Sequence, residues 1–279
     1  LPFGDGTTPN GARDRESGTM LGAEQKGWFK GQLTDSTATW KVWGNALPIM
    51  SLRMDLAELP FGGLHNSVLG TDAWSGFPTE YKELLNFVAD EGIANLVSLS
   101  GDHHSHGAGS LARDANAEKP EFLAVDFNVS GISSTPQFSG VLDTGQKDNP
   151  DFLQLVAHEA NGEMQETWNM TLTQGALATL AYGRTGMQTL ANWLAPNKAN
   201  PGTVYVDSNS NGYGLARFDG AECIAQLITV DAPVKESDAS GSAIKHIANF
   251  RVASWSKGEE PDLSGPVFED SAPFPFNNI

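Results

Sequence analysis

The stretch Asn95-Leu96-Val97-Ser98-Leu99-Ser100-Gly101-Asp102-His103-His104 decides the reading of this chain. Ile93 to Leu99 is a short apolar run bounded by Gly92 and Gly101, the pattern of a buried strand. Gly101 then lets the chain turn sharply at the sheet's edge. A carboxylate and several imidazoles emerge directly after it, in Asp102-His103-His104-Ser105-His106. In an extended conformation Asp102 and His104 share one face while His103 takes the other. A hard oxygen donor beside a nitrogen donor suits two metal ions of different character. A backbone carbonyl or carboxylate behind the imidazole would fix its tautomer. The same residues also suit a plain surface loop with no ligand role.

Working outward, a helix is expected over Leu21 to Leu33, with Leu21, Trp28, Phe29 and Leu33 on one side. A strand is expected over Thr37 to Val42, running into the loop Trp43-Gly44-Asn45. The Gly-rich segment from Leu59 to Phe77 reads as loop, and Pro78-Thr79-Glu80 opens a helix through Ala89. Phe122 to Val129 reads as a strand. Asn149 to His158 and Leu172 to Leu194 carry helical patterns. Thr203–Val206, Gly212–Phe218, Glu222–Val230 and Ile244–Ser254 read as strands. Residues 1–20 are taken as loop, 21–255 as the core of one unit spanning 1–279, and 256–279 as a tail extended over the body. The fold class is α/β, in layers, with a late run of antiparallel strands.

Composition narrows the function. At 39% hydrophobic residues the chain is globular, and no run of eighteen apolar residues exists to cross a membrane. A formal net charge of −17 disfavours nucleic acid as the main partner, and it obliges any phosphate-ester chemistry to supply concentrated positive charge locally. The single Cys223, within Ala221-Glu222-Cys223-Ile224-Ala225, excludes an intrachain disulfide framework and reads as a small core residue. The start, Leu1-Pro2-Phe3-Gly4, has neither an initiator Met nor a signal-peptide pattern, and it is read as a chain that begins inside a longer precursor or has lost its front.

Gly101-Asp102-His103-His104 resembles the Gly-Asp-x-His motif of the PhoD-like alkaline phosphatases and phosphodiesterases, members of the metallophosphoesterase superfamily. Leu21-Gly22-Ala23-Glu24-Gln25-Lys26-Gly27-Trp28 is similar to that family's helix start, and Ser36-Thr37-Ala38-Thr39-Trp40-Lys41-Val42 to its following strand. Asn45 falls where the family carries a polar loop. Asp72-Ala73-Trp74-Ser75-Gly76-Phe77-Pro78-Thr79-Glu80 resembles its Asp-x-Trp-x-Gly-Tyr-Pro segment. Tyr205-Val206-Asp207 and Asn211-Gly212-Tyr213-Gly214 resemble its late strands. The resemblance covers the chain to about residue 255. It departs at Phe77, where the family has Tyr, and at Tyr81, where an Arg is common.

The resemblance implies a layered metallophosphoesterase-type β-sandwich flanked by helices, with the N-terminal half of that fold missing from this chain. It implies hydrolysis of phosphate mono- or diesters at a dinuclear centre of iron plus calcium, or a similar pair. Asp102 would go to the harder cation and His104 to the iron-like one. His103 or His106 would orient the substrate or protonate the leaving group. The family's other ligands lie on motifs absent here, so an N-terminal partner chain is expected to complete the centre. A periplasmic or extracellular home follows from the resemblance alone. Two alternatives stand beside this reading: a catalytically degenerate binding or structural module, and an esterase acting on phosphotriesters or phospholipids. Trp74 is a candidate wall of a substrate pocket, although core packing explains the tryptophans more simply. Arg184 is weighed as a phosphate clamp against a surface arginine at a helix break, and His65 as an exposed loop residue. Asp207-Ser208-Asn209-Ser210-Asn211-Gly212 lacks the spacing of a calcium loop and is expected to form a tight hairpin turn.

Overall fold

The computed structural model describes residues 18–60, 63–68, 70–148, 150–160, 162–195, 199–232 and 242–278. Residues 1–17 of the expected leading loop therefore lie outside the described residues, as do Asn149 and Ile279. The helices are α1 (Gly22–Asp35), α2 (Pro78–Glu91), α3 (Gln137–Asp148), α4 (Pro150–Val156), α5 (Trp168–Thr173), α6 (Ala176–Thr185) and α7 (Gln188–Leu194). The early strands are β1 (Lys41–Gly44), β2 (Arg53–Met54), β3 (Ser67–Val68), β4 (Leu96–Ser100), β5 (His106–Ala112), β6 (Phe122–Asn128), β7 (Ala157–Ala160) and β8 (Glu163–Glu166). The later ones are β9 (Thr203–Asp207), β10 (Asn211–Phe218), β11 (Glu222–Val230), β12 (Ile244–Ala253) and β13 (Leu263–Asp270).

Among the described residues, β1-β4-β6-β5-β9 form a five-stranded sheet and β10-β11-β12-β13 a four-stranded antiparallel one. β1, β4 and β6 run parallel, with Val42 opposite Val97 and Val97 opposite Val125. β5 runs antiparallel to β6, and β9 antiparallel to β5, so β9 points the same way as the first three. The larger sheet is apolar on both faces because successive residues go to opposite sides. Leu96 and Ala124 join the core beneath the helices, with Phe152, Trp168 and Leu172. Their neighbours Val97 and Val125 join a second core with Phe127, Cys223, Leu227 and Phe250, which the two sheets share. The molecule is thus a mixed α/β fold in helix–sheet–sheet layers. Burial between the sheets pushes the Cys223 thiol up to about 12.

Helix α2 begins at Pro78, whose fixed φ suits the first helical turn, and ends at Gly92 in the left-handed region at φ 62°. It is held to α1 by Glu80, which is buried and accepts from the Thr19 hydroxyl at 2.7 Å and from the amides of Met20 and Leu21. Lys26 and Lys30 both reach Glu83 at 2.6 Å.

Several expectations change. On α1 only Phe29 and Leu33 are buried, and Trp28 is 63% exposed rather than turned inward. The long helix expected over 172–194 is broken twice, at Gly175 (φ 107°) and Gly186 (φ 65°), into the end of α5, α6 and α7. The helix expected to reach His158 stops at Val156, and His158 lies in β7, paired with Gln165 of β8. Asp207 to Gly212 is not a hairpin, because β9 belongs to one sheet and β10 to the other. The extended tail includes β13, which pairs along β12.

Candidate active site

β4 delivers the segment that carries the chemistry to the edge of the larger sheet. Asp102 (φ 74°) and His104 (φ 52°) both adopt left-handed backbone, and the His103 amide donates to the Gly101 carbonyl at 3.0 Å. This is a tight turn and not an extended strand, so the expected alternation of faces fails. Left-handed backbone in Asp and His is uncommon and concentrates at functional turns. The turn is fastened to the entry of α3, where the Gln137 amide donates to the His104 carbonyl at 2.9 Å.

Asp102 and His103 line one wall of a cleft of about 380 Å³. Asp72 and Ser75 come from the loop before α2, and Gln137, Gly140 and Thr144 from α3. Burial draws the His103 imidazole below its ordinary value, against the opposing pull of Asp102 and Asp72. None of the described cleft-lining residues is Lys or Arg. His104 is not among the residues lining this cleft and meets the Thr135 carbonyl through Nδ1 at 2.7 Å. A carbonyl only accepts, so in the neutral ring Nδ1 carries the proton and Nε2 keeps a lone pair, on an exposed side chain.

His106 takes a different place. It opens β5, is wholly buried, and lies outside the cleft. Its Nδ1 accepts from the Ser130 amide at 3.1 Å and its Nε2 donates to the Ile228 carbonyl at 3.2 Å. Burial pushes the ring down to about 4, so it is held neutral as a bridge between the sheets. The structure sets it apart from the cleft in which a role in handling substrate was expected. Gly212 packs against it, since a Cβ there would come within 2.8 Å of Nε2 and 1.9 Å of the Ile228 carbonyl oxygen.

The other candidates separate cleanly. Asp72 faces the cleft, but its neighbour Trp74 is buried edge-on against Trp43 at 5.5 Å and packs the core. Arg184 is exposed in the last turn of α6, away from the cleft, and His65 is exposed in its loop. Phe77 caps α2, and the Tyr81 hydroxyl donates to the Ala112 carbonyl at 2.9 Å; neither lines the cleft.

Sequence reading missed a buried polar network under this edge. Asp126 of β6 accepts from the Ile49 and Met50 amides at 2.9 and 2.8 Å, which brings that loop beneath the cleft. Asp207, at the end of β9, accepts from Thr229 of β11 at 3.2 Å and from His246 of β12 at 3.1 Å. Glu166 of β8 accepts from the Ser208 hydroxyl at 2.6 Å. Burial first, and then the charge of Asp207, push the Glu166 carboxyl up to about 8. A carboxyl raised in the folded state lends stability that is complete below its ordinary value and is lost as pH rises through about 8. Glu166→Gln has no such titration. Its stability relative to the parent is expected to rise by on the order of 3 kcal/mol between pH 5 and pH 8.5, measured by urea melts at both values.

A family profile described as PhoD-like phosphatase matches residues 5–181. The chain belongs to the PhoD-like phosphatase family. It is 30% identical over 131 residues to alkaline phosphatase D of Bacillus subtilis (strain 168), an alignment covering 47% of this chain and 21% of that protein. A solved structure titled "Structure of PhoD" superposes with a TM-score of 0.55 at 16% identity, over 93% of this chain and 37% of the other. At that identity the superposition speaks for the fold. This PhoD-like chain thus spans a minor part of the length of both relatives.

Among the described residues no three His, Cys, Asp or Glu side chains converge to hold an ion. Asp102 and His104, with its lone pair on Nε2, fit as parts of a donor set and not as the whole of one. Among the described residues, too, no helix is long and apolar enough to cross a membrane.

Proposed function

We propose that this chain forms part of a PhoD-like hydrolase of phosphate mono- or diesters, whose metal centre is completed by residues of the remaining, N-terminal portion of such an enzyme. The observation that carries the reading is the turn Gly101–His104. It sets a carboxylate on a cleft wall and an imidazole with its Nε2 left open at the edge of the parallel strands, where α/β folds place their ligands. Asp102 and His104 would hold the metal ions, iron plus calcium or a similar pair. When bound, such ions neutralise an anionic ester and polarise its phosphoryl oxygens. The charge of the cleft makes that contribution necessary, since the described residues of its walls offer two carboxylates and no cationic side chain. His103 and Gln137 would orient the ester against the Asp102 wall. Family resemblance favours an exported enzyme, periplasmic or extracellular.

The lack of three converging donors among the described residues also supports a second reading, a relative that kept the fold and lost catalysis. One experiment separates them. Material from producing cells would be assayed for metal by mass spectrometry and for hydrolysis of p-nitrophenyl phosphate and bis-p-nitrophenyl phosphate. About two ions per assembly with turnover supports the hydrolase. Metal-free, inactive material containing the remaining portion rejects it.

A further inference from the structure

Among the described residues both sheets end on the same side of the molecule, and apolar side chains stay exposed there. β1 is the terminal strand of the larger sheet and β10 of the smaller. Trp40, just before β1, donates from its indole to the Asp219 carbonyl at 2.6 Å and lies 5.5 Å from the ring of Phe218 at the end of β10. The opposite side is closed differently, with Tyr205 of β9 against Phe268 of β13 at 5.8 Å. Val42 is in register with Val97, whose side chain fills the core between the sheets, yet Val42 is 48% exposed. On the helix side, Trp28 stands 63% exposed beside a groove of about 530 Å³ lined by Phe29, Leu33 and Trp43. An open strand edge flanked on both faces by apolar surface is a template for further chain.

The connectivity specifies what fits. α2 leads into β4, which lies parallel to β1, and α1 leads into β1 in the same way. Parallel strands joined through helices advance in one direction with one hand. The next member of the series is a parallel strand on the free edge of β1, with its own packing over Trp28 and Val42. A second copy of this chain would instead present β1 to β1 in antiparallel fashion under the usual two-fold symmetry.

The geometry points to this β1 edge, with the Trp28 groove and the Val42 opening, as the docking surface for the remaining PhoD-like portion, through a strand parallel to β1. This inference rests on the function proposed above. The structural relative's extra length, of which this chain covers 37%, is the source of the occupant. A parallel addition brings the new strand's C-terminal end to the rim where β4 delivers Asp102, which is where donors are lacking.

A photo-reactive benzophenone side chain placed at position 42 in the producing cells tests this, with position 267 on β13, 68% exposed at the far edge, as control. The expected result is an adduct from position 42 and not from 267, whose digest gives peptides of a PhoD-like N-terminal portion, whether in the same polypeptide or another. No adduct at 42, or an adduct to a second copy of this chain, overturns the inference. Turnover of bis-p-nitrophenyl phosphate by material lacking the adduct would overturn the docking surface and keep the function. An adducted assembly without turnover or metal would keep the surface and reject the function.

Discussion

Asp102→Asn is expected to lower phosphoester turnover by about 100-fold or more in the assembly with its N-terminal portion, while leaving the melting temperature of the chain nearly unchanged. The magnitude follows from removing one charged group that acts on the developing charge at a reacting centre. The choice of Asn isolates that effect. Asp102 sits at φ 74°, and Asn enters the left-handed region about as readily as Asp, so the turn survives. Ala there would add backbone strain and confuse the readout. The Asp102 side chain is exposed, so its loss opens no cavity. Metal content measured on the same sample gives a reading independent of rate, and it should fall with the carboxylate. Turnover within a few-fold of the parent, with metal retained, would remove Asp102 from the centre.

How much of this site was legible depends on where each residue's environment comes from. The apolar run ending at Ser100 and the glycine after it are local signals, and they led correctly to a strand and a turn. The orientation after Gly101 was not local. The turn, left-handed at Asp102 and again at His104, is held at His104 by contacts with Thr135 and Gln137, more than thirty residues away. β5 escaped notice because His106-Gly107-Ala108-Gly109-Ser110 shows no alternation of apolar and polar residues. Its glycines answer to close neighbours: a Cβ on Gly107 would meet Met50 at 2.8 Å, and one on Gly109 the Gly202 carbonyl at 2.9 Å. Helical spacing sets Trp28 on one side with Phe29 and Leu33, but nothing among the described residues covers it. Asn211-Gly212 has the composition of a hairpin turn. There the glycine serves the approach of β10 to His106 and Ile228, and the chain changes sheets.

Asp207 marks that change of sheets, and Asp207→Ala is expected to destabilise the chain by about 3–5 kcal/mol, read as a shift in urea midpoint without a change in slope. Its carboxylate is buried, and it joins the end of β9 to β11 through Thr229 and to β12 through His246. Burial alone would raise its titration, but the hydrogen bond and charge of His246, together with His106 and Thr229, outweigh burial and hold the carboxyl below its ordinary value. A carboxyl lowered in the folded state lends stability that is present above its ordinary value and is lost only as pH falls through the folded one. The contribution is therefore complete at neutral pH and erodes only in acid, opposite in sign to that of Glu166. Removing the carboxylate leaves the His246 ring and the Thr229 hydroxyl facing an apolar void, and unpaired buried donors are what make such deletions costly. Asp207→Asn keeps an acceptor of the same shape and should cost about 1–3 kcal/mol. If Asp207→Ala proves no more damaging than Asp207→Asn, the two sheets are held together by the apolar core of Val97, Phe127, Leu227 and Phe250 alone, and the polar link is dispensable.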